Sequence, residues 1–101
     1  MPKIYEYFGI IFLFYSHEHL PVHVHAQYQE YESRLEFVFE NGKLIEIKVR
    51  KVKGRNPLPE NKLREAKSFV RKYYSAIASK WTDFFVLKKK IKSEKINKRI
   101  R

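Results

Sequence analysis

At 101 residues and 12.3 kDa the chain has room for one domain and one hydrophobic core. That length excludes two-domain enzymes and the large dinucleotide-binding and barrel folds. With 44% hydrophobic and 16% aromatic residues it is not a disordered polyelectrolyte, and with no cysteine it has no disulfide, thiolate nucleophile or Cys-built zinc site.

The formal net charge of +11 is unevenly spread. Residues 1–47 carry three basic and seven acidic side chains, residues 48–55 five basic and none acidic, residues 56–87 six against three, and residues 88–101 eight against one. An acidic N-terminal half is thus followed by a basic connector and a basic tail, a pattern that suits an anionic partner such as nucleic acid, an acidic protein or anionic lipid, or that serves solubility alone. No window is apolar enough to span a membrane. The opening Met1-Pro2-Lys3-Ile4-Tyr5-Glu6 lacks the basic-then-apolar pattern of a signal peptide, so the expectation is a cytoplasmic protein without a membrane partner.

Residues 8–15 form a continuous apolar run rich in β-formers, and a strand covered on both faces is expected over 10–15. Ser16 to Val22 reads as a loop. From Val22 the period is two: Val22, Val24, Ala26 and Tyr28 point one way, His23, His25 and Gln27 the other. Tyr31, Ser33, Leu35, Phe37 and Phe39 continue the apolar set, with Glu32, Arg34, Glu36 and Val38 opposite. A two-residue turn at Gln29-Glu30 pairs Tyr28 with Tyr31, Ala26 with Ser33 and Val24 with Leu35, and sets His25 across from Arg34 and His23 across from Glu36. Asn41-Gly42 is the strongest turn signal. Facing favours a three-residue loop, Glu40-Asn41-Gly42, which pairs Phe37 with Ile45 and Leu35 with Ile47.

The Gly- and Pro-bearing stretch from Lys51 to Pro59 reads as a connector, with a helix starting near Pro59 or Glu60. Leu63, Ala66, Val70, Tyr73 and Ile77 recur at helical spacing. Either this helix runs on past Ser79 or a second one carries Trp81, Phe84 and Phe85, which read as core or dimer contact. From Lys88 the pattern weakens to a solvated helix extension or an arm. The expected fold is α+β, a three- to four-stranded, mainly antiparallel sheet against one or two C-terminal helices. Residues 1–87 form the compact domain and 88–101 a basic extension. The expected core is Ile11, Leu13, Val24, Ala26, Leu35, Phe37, Ile45 and Ile47 against Leu63, Ala66, Val70, Tyr73, Ile77 and Trp81.

All four histidines lie between positions 17 and 25. His23 and His25, two apart on a strand, leave one face about 6.5 Å apart. With His19 they could converge on a divalent transition metal such as zinc, iron, nickel or manganese, and Glu36 could bind it or orient a ring. Without any cofactor the same histidines could act as acid and base, with Arg34 stabilising a developing phosphorane and Glu36 in support. The blander reading is a solvated outer sheet face. Lys48, Arg50, Lys51, Lys53 and Arg55 read as a phosphate-contacting stripe or as a charged edge that resists aggregation, and Lys88, Lys89 and Lys90 open a tail that could follow a nucleic-acid backbone.

Across the cluster the chain resembles the domain-of-unknown-function family 4160. The family's apolar strand and its acidic residue, His, any residue, Pro, Pro, His, aromatic, His, Ala read here as Glu18-His19-Leu20-Pro21-Val22-His23-Val24-His25-Ala26. Gln27-Tyr28-Gln29-Glu30-Tyr31, Asn41-Gly42 and Trp81 match further features. Val22 departs from the second proline, the Gln29 position from a glycine, and the basic connector from a shorter one. The resemblance spans roughly residues 3–85 and places the site on His19, His23 and His25, with His17 outside the pattern. It implies a small α+β protein whose gene lies beside a small partner gene, as in toxin–antitoxin pairs, hence a partner protein and an RNA target. The leading expectation is a toxin-like protein acting on or binding RNA. The alternatives are a non-catalytic nucleic-acid or protein-binding module and a small metal-binding protein; a homodimer is compatible with each.

Overall fold

The structure, a computed structural model, describes residues 2–15 and 20–100. Six strands and one helix follow in the order β1 (Lys3–Tyr7), β2 (Ile10–Leu13), β3 (His23–Tyr28), β4 (Tyr31–Glu40), β5 (Lys43–Lys51), α1 (Glu60–Phe85) and β6 (Glu94–Ile96). They form one mixed sheet ordered β5-β4-β3-β2-β1-β6, antiparallel throughout except for the parallel pair β1 and β6. α1 packs on one face.

The α+β class is as expected, but the sheet is larger than three or four strands. The apolar run at 8–15 hides a reversal. Phe8 and Gly9, at φ 44° and 85°, make a tight turn that joins β1 to β2 through the pair Tyr7 and Ile10. Only glycine takes such a φ without strain, and a Cβ on Gly9 would stand 3.3 Å from the Tyr28 ring. The tail supplies β6 where a helix extension or an arm was expected. Lys95 reaches Glu6 at 3.9 Å, and the guanidinium of Arg99 lies 3.9 Å from the Phe8 ring centre.

The β3–β4 register is the one that period two predicts, from Tyr28 with Tyr31 to His23 with Glu36, with Gln29 taking the positive φ of 54°. The next hairpin corrects the expectation. Asn41 and Gly42, at φ 54° and 80°, form the two-residue turn, with Glu40 opposite Lys43 and Phe39 opposite Leu44. An irregularity between Val38 and Phe39 then absorbs one extra residue of β5, so that Phe37 meets Ile47 and Leu35 meets Val49. The bulge removes the facing conflict that argued against the tight turn. Ile45, expected in the core, is left 57% exposed.

One long helix forms, running through Ser79 to Phe85. Ala66, Phe69, Val70, Ile77 and Trp81 are buried along it, whereas Leu63 and Tyr73 are half-buried against the core. Phe69, absent from the expected core, is its centre: the ring stacks on Phe12 at 4.6 Å and on Tyr73 at 4.5 Å, and meets Tyr5 edge-on at 5.3 Å. Along β2 the helix-facing residues are Ile10 and Phe12 rather than Ile11 and Leu13, because Phe12 pairs with Ala26. Leu13 is buried beside His25 on the opposite face, and Ile11 is half-buried. Among the described residues no helix is long and apolar enough to cross a membrane.

Truncating Phe69 to alanine empties the centre of this aromatic cluster and is expected to cost ~3–5 kcal/mol of unfolding free energy. Gly9→Ala, which forces a Cβ into left-handed backbone, is expected to cost about 1–2 kcal/mol. Urea denaturation followed by tryptophan fluorescence of Trp81 reads both.

Candidate functional site

The face of the sheet away from α1 is polar, yet much of it is buried. His23, His25, Glu32 and Glu36 are 2%, 5%, 2% and 6% exposed. Strand alternation places them there: β3 sends Val24 and Ala26 to the core and His23, His25 and Gln27 to the other side, and the register of β4 brings Glu32, Arg34 and Glu36 beside them. Buried polar groups of this kind must find partners within the protein.

Glu32 has an ample set. Its carboxylate accepts a hydrogen bond from the Tyr15 hydroxyl at 2.6 Å, one from Gln27 Nε2 at 2.9 Å and one from His25 Nδ1 at 3.0 Å, and Arg55 Nε stands 3.6 Å away. Burial, then the hydrogen bond to Glu32 and the charge of that group, push the Tyr15 hydroxyl up to about 12, so at neutral pH it remains a donor. The Tyr15 ring also meets His25 edge-on at 4.2 Å. With the Glu32 oxygen as acceptor, His25 donates through Nδ1–H, which puts the lone pair of its neutral ring on Nε2.

His23 shows the same polarity by a different route. Its Nδ1 donates to the Pro21 carbonyl at 2.7 Å, which again assigns the lone pair of the neutral ring to Nε2. The two rings lie 5.5 Å apart, centre to centre, at 71°. Beside them Glu36 accepts hydrogen bonds from Arg34 and, at 3.1 Å, from Arg50 Nε. Burial raises the Glu36 pKa, but the hydrogen bonds and charges of Arg50 and Arg34 outweigh that and hold the carboxyl below its ordinary range. The Nε of Arg34 is buried and has no hydrogen-bond partner among the described residues.

The structure therefore brings together His23, His25, Arg34 and Glu36 of the expected site, while His19 lies outside the described residues. Among the described residues no group of three His, Asp or Glu is arranged to hold a metal ion, and a ligand set that includes His19 extends beyond them. The basic connector does not form one stripe. Lys48 and Arg50 share the histidine face, whereas Lys51 pairs with Ser33 on the helix side, Lys53 is exposed in a turn, and Arg55 turns in to Glu32. Lys88, Lys89 and Lys90 stand apart from this cluster, lining with Phe84 and Phe85 a cavity of about 300 Å³ at the end of α1.

Two central members, Tyr15 and Glu32, were not among the expected site residues. The Gln27 to Glu32 pairing was legible from the hairpin register, but nothing in the local sequence marks Tyr15, which arrives from the segment just past the end of β2. Glu36 also gives the face a pH signature. Its carboxyl binds a proton less readily folded than unfolded, so it stabilises the fold above the ordinary carboxylate range and loses that contribution as pH falls through its lowered pKa. Glu36→Gln is expected to make the loss of stability between pH 5 and 2 shallower, as read from denaturant midpoints at stepped pH.

A family model for a domain of unknown function, DUF4160, matches residues 9–82. The matched span contains β2 to β5, most of α1 and the whole buried polar cluster. No curated protein and no solved structure matches the chain. With about three quarters of its length inside that model, including His23, His25, Glu32 and Glu36, the chain belongs to the DUF4160 family.

Proposed function

We propose that this chain is a toxin-like, RNA-acting member of a two-protein pair, working in the cytoplasm through the histidine face of its sheet. The observation that carries the reading is the pair of imidazoles 5.5 Å apart, each with Nδ1–H held by its own acceptor, beside the cation of Arg34. With Nδ1 protonated, His25 Nε2 takes the proton from a ribose 2′-hydroxyl as its oxygen attacks the adjacent phosphorus. Glu32 balances the charge that forms on the ring. The P–O5′ bond breaks as His23, protonated, gives its Nε2 proton to the leaving oxygen; the products are a 2′,3′-cyclic phosphate and a 5′-hydroxyl. Arg34, whose Nε proton lacks a hydrogen-bond partner among the described residues, faces the negative charge that develops on phosphorus. Lys48 and Arg50 hold the flanking phosphates. The family resemblance supports the partner protein.

A second reading, RNA binding without cleavage, is favoured by the burial of both imidazoles beside exposed Lys48 and Arg50 on the same sheet face. One experiment separates the two. Purified protein is incubated with an end-labelled, mixed-sequence RNA, and both cleavage and retention are measured. The catalytic reading expects products ending in cyclic phosphate, reduced about 100-fold or more in His23→Ala and in His25→Ala while circular dichroism shows a retained fold. Salt-sensitive retention without products supports binding alone. Cleavage that survives both substitutions overturns the assignment of the histidines, and absence of both cleavage and retention overturns the RNA reading.

A further inference from the structure

The outermost strand of the sheet is open on one side. β5 pairs with β4 and has no strand beyond it among the described residues, and seven of its nine residues are exposed. Its outer row of backbone N–H and C=O groups is a template for another strand. The opposite edge, β6, is only three residues long.

The side chains along β5 define what the template would accept. On the helix side a groove of about 150 Å³ runs between strand and helix, lined by Leu44, Ile45, Glu46, Ile47, Arg71 and Tyr74. Ile45 and Val49 beside it are 57% and 37% exposed. The charge is one-sided: Lys43, Lys48, Arg50 and Lys51 against Glu46 alone. Arg50 is engaged by Glu36, which leaves three lysines to be answered from outside. A second copy would bring the same cationic edge, and a second net charge of +11, against the first.

We propose that the edge of β5 captures an extended acidic segment of a partner protein as a seventh strand. The occupant alternates in chemistry because strand side chains alternate in direction. Apolar residues on one face cover Ile45 and Val49 and enter the groove. Acidic residues on the other meet Lys43 and Lys48, which share that face through their pairing with Glu40 and Glu36.

A capped ten-residue peptide of alternating valine and glutamate tests this, with amide hydrogen exchange of the protein read by NMR. Expected are slowed exchange confined to β5, an affinity at least about tenfold lower in 0.5 M salt, and loss of binding when alternate peptide amides are N-methylated. The double substitution Lys43→Glu with Lys48→Glu is expected to weaken binding about tenfold or more. Ile45→Lys, at an exposed position that the fold does not need, is expected to do likewise. The proposal is overturned if the peptide does not bind, which leaves the lysines as guards against sheet association. It is also overturned if the peptide binds without protecting β5, or if β5 is protected by self-association of the protein alone.

Discussion

The pairing of Val24 with Leu35 and of Ala26 with Ser33 at the centre of the sheet keeps two incompatible environments apart. Slipping β4 by one residue would turn Glu32, Arg34 and Glu36 into the aromatic core and expose Leu35 and Phe37, and slipping β3 would do the same to His23 and His25 against Val24 and Ala26. The helix side, built on Phe12 and Phe69, and the histidine side, built on Glu32 and Glu36, therefore stand or fall on a single register. Each strengthens it, since a misaligned hairpin would lose apolar burial on one face and leave charges without partners on the other.

Glu32 and Glu36 divide the polar face between them. The first gathers Tyr15, Gln27, His25 and Arg55, and orients an imidazole; the second gathers Arg34 and Arg50, one negative charge between two positive ones. Two carboxylates so deeply placed are costly to desolvate, and only a full set of donors makes the arrangement stable. Both carboxylates are satisfied, and buried hydrogen bonds of this kind hold their donors in place. The positions of the ring nitrogens of His23 and His25 are thereby set by groups that a ligand need not supply.

Much of this was legible in the sequence wherever a physical signal was local. Alternation from Val22 to Phe39 disclosed the β3–β4 register and the company of His23, His25, Arg34 and Glu36. Helical spacing located α1 and most of its buried face. The losses came where two signals overlapped. Phe8-Gly9 turns at the start of an apolar run in which a strand was expected only over 10–15, so β1 went unread, and Ile11 and Leu13 were set inward where Ile10 and Phe12 stand. At Asn41-Gly42 a strong turn signal and a facing conflict are both satisfied by a bulge, which period-two counting does not contain. β6 is three residues among lysines and gains its structure from β1. Tyr15 and Phe69 matter through contacts to other strands, and no local pattern announces those.

The parallel pairing of β6 with β1 ties the end of the described chain to its beginning. Every other neighbour in the sheet is also a neighbour in sequence, and those hairpins close short loops; the Ile100 amide and the Tyr7 hydroxyl that it reaches are separated by 93 positions. β6 is three residues long and paired on one side only, so its opening disturbs the fewest contacts in the sheet. When it leaves, β1 becomes an edge, and Arg99 and Lys95 lose Phe8 and Glu6. The basic tail is then both a brace for the first strand and a reservoir of charge that is released when the brace opens.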